Sequence, residues 1–270
     1  MLKSFTRILC LVLLLCVTLG GCSGEDEIYR SWERSGEAAP AYKEQKKQTA
    51  EQTKKKNYDK RVALTLDDGP HNEYTKRIVD ELAKYGYHAT FFVVGNRVDG
   101  TAYNGKSALK YAAEKGNEIG IHGYTHSEKR YYDSCSEDIY IEELSNTEQA
   151  IKDVLPKYTV SLMRPVGGKI TDARIKSCEY SVIMWSVDSE DWRYKSTADD
   201  VKEQNVETIV NNVMSSVKDG SIILMHDIYG NTADAVEIIL KRLDEEGYEV
   251  VTVSELIGKN ISAGKRYSQG

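Results

Sequence analysis

The chain has 270 residues, of which 40% are hydrophobic and 29% charged, so it can bury a sizeable core and is not compositionally disordered. The net charge is −6, and no basic block interleaves with aromatic residues, which excludes DNA and RNA as partners. Residues 1–60 carry a small positive balance, so the acidity belongs to the remainder of the chain.

The N-terminus places Lys3 and Arg7 before an apolar run from Ile8 to Leu19, followed by Gly20-Gly21-Cys22. A cationic start, a short apolar stretch and small residues make an export signal, and the run is too short to span a bilayer comfortably. Leu19-Gly20-Gly21-Cys22 resembles a bacterial lipobox, in which the cysteine becomes the lipidated first residue of the mature protein. Residues 1–22 are therefore expected to be a lipoprotein signal peptide, with Cys22 tying an exported chain to the cell membrane, facing the cell wall. Residues 23–60 are rich in Glu, Lys, Gln and Ser without an apolar period, and read as a polar tether. As a coil it would reach about 35 Å on average, while a helical Lys/Glu spacer over 42–57 is the alternative.

Past residue 60, β-branched and aromatic runs alternate with segments of helical period. The expected strands are Val62–Leu66, Ala89–Val94, Glu118–Ile121, Thr159–Met163, Val182–Val187, Ser221–Met225 and Tyr248–Val253. The expected helices include Glu73–Tyr85, Glu137–Leu155, Val206–Val217 and Ala233–Glu246. Seven strands with intervening helices imply a parallel α/β fold, either an open doubly wound sheet or an incomplete barrel. No dinucleotide or P-loop glycine pattern follows the first strand, which excludes nucleotide binding of that kind. The domain is expected over 61–258, with a polar tail over 259–270. Cys135 and Cys178 survive in this body; spacing alone cannot establish that they are close, so two unpaired thiols are expected, with a disulfide as the alternative.

The unusual polar residues fall just past strand ends. Asp67 and Asp68 follow the first strand, His122 and His126 the third, Arg164 the fourth, Asp188 and Asp191 the fifth, and His226 with Asp227 the sixth. Parallel strands share one carboxyl-end face, where such folds hold their chemistry. Two adjacent carboxylates repel each other in a partly buried site unless a cation or a proton relieves them, although Asp-Asp-Gly-Pro also suits a tight turn. His122 and His126, four residues apart, can reach one ion, and one carboxylate with two imidazoles leaves open positions on Zn²⁺ for hydrolysis. His71 and His88 are expected to be structural.

Five segments carry a resemblance to a family: Thr65-Leu-Asp67-Asp68-Gly-Pro70, His122-Gly-Tyr-Thr-His126, Arg164-Pro-Val-Gly167-Gly, Asp188-Ser-Glu-Asp191-Trp192 and Leu224-Met-His226-Asp227. From about Arg61 to Leu256 the sequence resembles the NodB-homology polysaccharide deacetylases, carbohydrate esterase family 4. The resemblance implies a distorted seven-stranded (β/α) barrel. It implies Asp68, His122 and His126 as metal ligands, Asp67 as the base that takes a proton from water, and His226 as the acid that protonates the leaving amine. Arg164 would orient Asp67, and Asp191 would orient His226. The backbone N–H near Gly167 would serve the oxyanion, while Trp192 and Leu224 would wall the acetyl pocket.

Two segments depart from the family pattern. Gly123 stands where Ser or Thr is usual, and Val166 and Gly167 replace a proline and a larger, often aromatic residue. These changes leave metal and base intact and bear on substrate preference. The implied activity is a metal-dependent hydrolysis of N-acetyl groups on an amino-sugar polysaccharide, most simply peptidoglycan N-acetylglucosamine, by a monomer using Zn²⁺, with Co²⁺ or another divalent ion as alternatives. O-deacetylation of xylan or capsule, action on chitooligosaccharides, and a silent carbohydrate-binding module are the competing readings. Intact Asp67 and His226 argue against the last, because a binder needs neither base nor acid.

Overall fold

The computed structural model describes residues 57–100 and 105–270, and the leader, Cys22 and nearly all of the tether expected above lie outside them. In chain order the strands are β1 (Lys60–Asp67), β2 (Thr90–Val93), β3 (Glu118–Ile121), β4 (Leu162–Met163), β5 (Ser181–Ile183), β6 (Val187–Asp188), β7 (Ile222–His226), β8 (Tyr248–Val251) and β9 (Arg266–Tyr267). The helices are α1 (Tyr74–Tyr85), α2 (Gly95–Asp99), α3 (Gly105–Glu114), α4 (Glu137–Val154), α5 (Asp172–Ser177), α6 (Lys202–Met214), α7 (Gly230–Glu245) and α8 (Val253–Ile257). All strand pairs are parallel, in the order β6-β7-β1-β2-β3-β4-β5-β9, with β8 on the lower half of β1. This is the parallel, curled α/β half-barrel expected from the sequence. No helix among the described residues is long and apolar enough to cross a membrane.

The curl follows from period-two alternation on strands buried on both faces. Val62, Leu64 and Leu66 of β1 join the large core beneath the helices, with Ile78 and Leu82 of α1 and Ile239 and Leu243 of α7. The intervening Ala63 joins a second, smaller cluster with Phe92, Leu162, Ile183 and Ile222, which fills the inside of the curl. Along β1 the inner face therefore reads Ala63, Thr65, Asp67. The same alternation puts Arg164 above Leu162, and Leu224 and His226 above Ile222. Chemistry-bearing side chains at the carboxyl ends thus share the inner face that apolar residues occupy lower down. Gly120 belongs there too, since a Cβ on it would lie 2.6 Å from the Phe92 ring.

Two expectations change. The run Val182–Val187 is two strands, because residues 184–186 cross from one end of the sheet to the other: Met184 N–H donates to Tyr267 O (2.7 Å) and Ser186 N–H to Ile222 O (3.0 Å). This crossing makes the seam of an unclosed barrel and raises the strand count from seven to eight, and β9 in the tail makes nine. The compact unit also runs wider than 61–258, over Tyr58–Gly270. Tyr58 donates to Asp244 (2.6 Å), β1 starts at Lys60, and the tail supplies β9 against β5. Cys135 and Cys178 are both free thiols, Cys178 buried and Cys135 beside Arg174.

Candidate active site

Asp67 ends β1 facing inward and is met there by Arg164, which is wholly buried. Arg164 Nη1 donates to Asp67 Oδ1 (2.7 Å) and Thr65 Oγ1 (2.8 Å). Its Nε and Nη2 donate to the carbonyls of Ile183 (3.1 Å) and Met184 (3.0 Å) at the seam. The guanidinium lies 4.4 Å from the Phe92 ring centroid, so its apolar face is covered as well. Burial lowers the Arg164 pKa from its ordinary value, and the Asp67 carboxylate works against that. A guanidinium so fully bonded stays charged, and removing either partner would strand a buried ion.

Asp68 turns the other way. Its backbone is left-handed, at φ 73°, and sends the carboxylate toward the two histidines. Asp68 Oδ1 lies 2.8 Å from His126 Nε2 and 3.4 Å from His122 Nε2. Neither contact is aligned as a hydrogen bond to that oxygen, which is buried and unpartnered in that sense. Burial pushes the Asp68 pKa up, but the two imidazoles override it and hold the carboxyl well below the usual range. Contact with Asp68 in turn raises the His126 pKa. His122 follows β3, and its Nδ1 sits 2.9 Å from Arg164 O, which leaves Nε2 for the site. One ligand atom from each of Asp68, His122 and His126 can be chosen so that all lie within 4.8 Å of one another. A carboxylate and two imidazoles, converging with an orphaned buried oxygen, fit a divalent cation with open positions.

Across the rim, His226 ends β7 and Asp191 opens the turn after β6. His226 Nδ1 lies 2.7 Å from Asp191 Oδ1, and Asp191 Oδ2 accepts from His226 N–H (2.7 Å) and Thr232 Oγ1 (2.7 Å). Burial lowers the His226 pKa, yet the Asp191 carboxylate outweighs it and the imidazole is pushed up to about 9. The pairing with Asp191 favours the imidazolium, with Nδ1 committed and Nε2 turned to the site.

The remaining expected residues are placed as follows. Gly167 sits in the turn after Arg164 at φ 59°, and a Cβ on it would lie 3.6 Å from the Tyr131 hydroxyl. Leu224 is buried on β7, two residues below His226, while Trp192 is 44% exposed beside Asp191, with Arg193 4.8 Å from its ring. At Gly123 the missing hydroxyl has no room: a Cβ would lie 2.9 Å from the Tyr132 hydroxyl. His71 accepts from the N–H groups of Glu73 and Tyr74, in keeping with a structural role.

Sequence reasoning missed Thr232 and Glu143, and named Thr65 and Asp227 without a task. Asp227 is fully buried, takes the Thr75 hydroxyl and is pushed up to about 7 by burial. It stands where a Gly69 Cβ would be, which requires glycine after the carboxylate pair. Glu143 carried a readable signal, since it lies among the buried positions Tyr140, Leu144, Thr147 and Ile151 of α4. A carboxylate in such a stripe needs a partner.

The family profile described as polysaccharide deacetylase matches residues 54–182. The chain is 38% identical over 195 residues to the peptidoglycan-N-acetylmuramic acid deacetylase PdaC of Bacillus subtilis, covering 72% of this chain and 38% of that protein. The solved structure of PdaC matches with a TM-score of 0.64, over 73% of this chain and 89% of that one. A peptidoglycan-N-acetylglucosamine deacetylase of Bacillus cereus is 38% identical over 212 residues, covering 74% of this chain and 90% of that protein. A family 4 acetyl xylan esterase of Clostridium thermocellum, solved with a cobalt ion, is 31% identical with a TM-score of 0.63, over 73% of this chain and 90% of that one. The chain thus spans about two fifths of the length of the first curated relatives it matches, 38% of PdaC and 41% of a Listeria monocytogenes deacetylase.

Proposed function

The chain belongs to the polysaccharide deacetylases, the NodB-homology group, and from that premise we propose that it hydrolyses N-acetyl groups on peptidoglycan amino sugars, with N-acetylglucosamine as the favoured unit. The observation that carries this reading is the division of labour between adjacent carboxylates: Asp67 Oδ1 takes a buried guanidinium, and Asp68 Oδ1 faces His126 at 2.8 Å, with His122 Nε2 between the two carboxylates, 3.4 Å from Asp68 and 3.6 Å from Asp67. A binding module has no use for that separation.

Asp68, His122 and His126 would hold the divalent cation, Zn²⁺ or Co²⁺. When bound, such an ion acidifies water and polarises the acetamide carbonyl. Asp67 acts as base. Its Oδ1 is occupied by Arg164 at 2.7 Å, so Oδ2 is the atom that accepts the proton of the attacking water. His226 acts as acid: Asp191 holds Nδ1, and Nε2–H is delivered to the departing amine. The Gly167 N–H stabilises the developing oxyanion, and Leu224 and Trp192 flank the acetyl methyl. All of these groups come from one chain, which acts as a monomer. Cys22 carries lipid and holds the domain at the outer face of the cell membrane, within reach of the wall.

Two relatives bear the names of N-acetylglucosamine and N-acetylmuramic acid deacetylases, while the xylan esterase motivates an O-acetyl alternative. The test is acetate release from peptidoglycan fragments acetylated on one sugar or the other, chitooligosaccharides and acetyl xylan, with each divalent metal added in turn. Turnover confined to acetyl xylan would replace the amide reading with the ester one. Substitution of Cys22 by Ser should move the protein from the membrane fraction to the medium, and no change in partition would refute the anchor.

A further inference from the structure

The second imidazole of the metal site has little to hold it. His122 is fixed by the sheet, through its N–H to Val93 O (2.9 Å) and its Nδ1 at Arg164 O (2.9 Å). His126 lies past the strand with a left-handed φ of 52°, is only partly buried, and meets Asp68. Where its ring can reach is decided by the three residues between the histidines.

Those residues are clamped from both sides. The carbonyls of Gly123 and Tyr124 accept from the N–H groups of Gly95 (3.0 Å) and Asn96 (3.0 Å) in α2. Their opposite edge falls on one side chain from α4. Glu143 Oε2 accepts the N–H groups of Tyr124 (2.7 Å) and Thr125 (2.9 Å), and Oε1 accepts the Thr125 hydroxyl (2.7 Å). Arg130 Nη1 reaches Oε1 at 3.1 Å and shares itself with Glu142, at 2.9 Å. Glu143 is 2% exposed. Four donors therefore converge on a buried carboxylate, and three of them belong to the loop that ends on His126. Gly123 completes the fit, because a Cβ there would come within 3.3 Å of Glu143 Oε2.

The geometry points to Glu143 as the positioning residue for His126: by fixing Tyr124 and Thr125 it sets the reach of the second imidazole, and so the affinity of the Asp68, His122 and His126 trio for a divalent cation. This deepens the metal reading and rests on it. The chemistry calls for a carboxylate, since an ionised carboxylate is acceptor-only and matches four donors. An amide of the same shape would turn an N–H₂ donor against them.

The test compares Co²⁺ and Zn²⁺ dissociation constants, by chelator competition, in the full chain and in Glu143→Gln. Groups that orient metal ligands from behind are worth roughly 10- to 100-fold in metal affinity. Glu143→Gln should weaken binding within that range, with kcat at saturating cation within about threefold of the parent. Glu142→Gln, which removes only the exposed partner of Arg130, should leave the dissociation constant unchanged. If Glu143→Gln fails to fold, Thr125→Ala deletes one of the four contacts and should weaken binding by a few-fold. A folded Glu143→Gln or Thr125→Ala that binds as tightly as the parent overturns the inference, as does a kcat loss that saturating cation does not relieve. A parent chain that takes up no divalent cation overturns the metal reading itself, an outcome distinct from either.

Discussion

The two sides of the rim are built on opposite plans. On the β1 and β3 side, Asp68, His122 and His126 converge, and a buried carboxylate oxygen is left without a hydrogen bond. On the β6 and β7 side, both oxygens of Asp191 are used inside the protein, by His226 and Thr232. The first arrangement is incomplete until something binds, while the second is complete without a ligand. An unsatisfied donor set is suited to capture, and a satisfied one to holding a side chain and its proton in place. Asp67 stands between them, satisfied on one oxygen by Arg164 and turned on the other toward His122 Nε2, 3.6 Å away.

The contrast can be broken most severely on the capture side. His122→Ala leaves two ligands, which hold an open-site ion poorly, so metal content and acetate release should fall together to background. Normal turnover by a demonstrably metal-free protein would end the idea. Asp67→Asn should separate the two quantities, retaining metal while losing roughly 10²- to 10⁴-fold in rate on amide and ester alike. Metal loss of the same size as the rate loss would move Asp67 into the ligand set.

On the satisfied side the losses should be selective. His226→Ala should slow cleavage of an N-acetylated oligosaccharide by roughly 10²- to 10⁴-fold and an activated aryl acetate far less, since a phenolate leaves without a proton. Equal losses on both substrates would contradict the acid role. The smallest effect is a titration. In the metal-free protein, NMR should find His226 near the raised value of about 9, and Asp191→Asn should return it toward 6.5. Because the folded value lies above the ordinary one, this pair contributes stability in full below about 6.5 and loses it as pH rises through about 9. Asp191→Asn should therefore cost more stability at pH 6 than at pH 10, and the reverse order would refute the charged pairing.

Much of this was legible in the sequence, for reasons that also explain what was not. Val62 to Leu66 read as a strand because it is apolar on both faces, and Asp67 stood out because a carboxylate ended it. The buried pairs Asp67 with Arg164 and Asp191 with His226 were implied by the order of the family motifs rather than by local spacing, since their members lie 97 and 35 residues apart. β9 was hidden because two residues of a polar tail carry no period, and only the exposed edge of β5 makes them a strand. The split of Val182–Val187 was hidden for a related cause: the run is apolar but for Ser186, and its break depends on where the sheet's ends lie. Glu143, Thr232 and Asp227 act through contacts that the chain's local pattern does not announce. Of the three, the carboxylate in a buried helical stripe was the one open to detection.

Arg164 ties the end of β1 to the carbonyls of Ile183 and Met184, where the unclosed sheet meets itself. Between β5 and β6 the chain makes no strand ladder, and residues 184–186 are held to the two ends of the sheet by single backbone bonds to Tyr267 and Ile222. Any breathing of the seam must let go of the same guanidinium that aims the Asp67 carboxylate. On the proposed mechanism, the molecules able to abstract a proton are those in which this guanidinium still holds Asp67. Amide exchange at residues 183–186 would then report how often that hold is released in the resting protein, before any substrate is added.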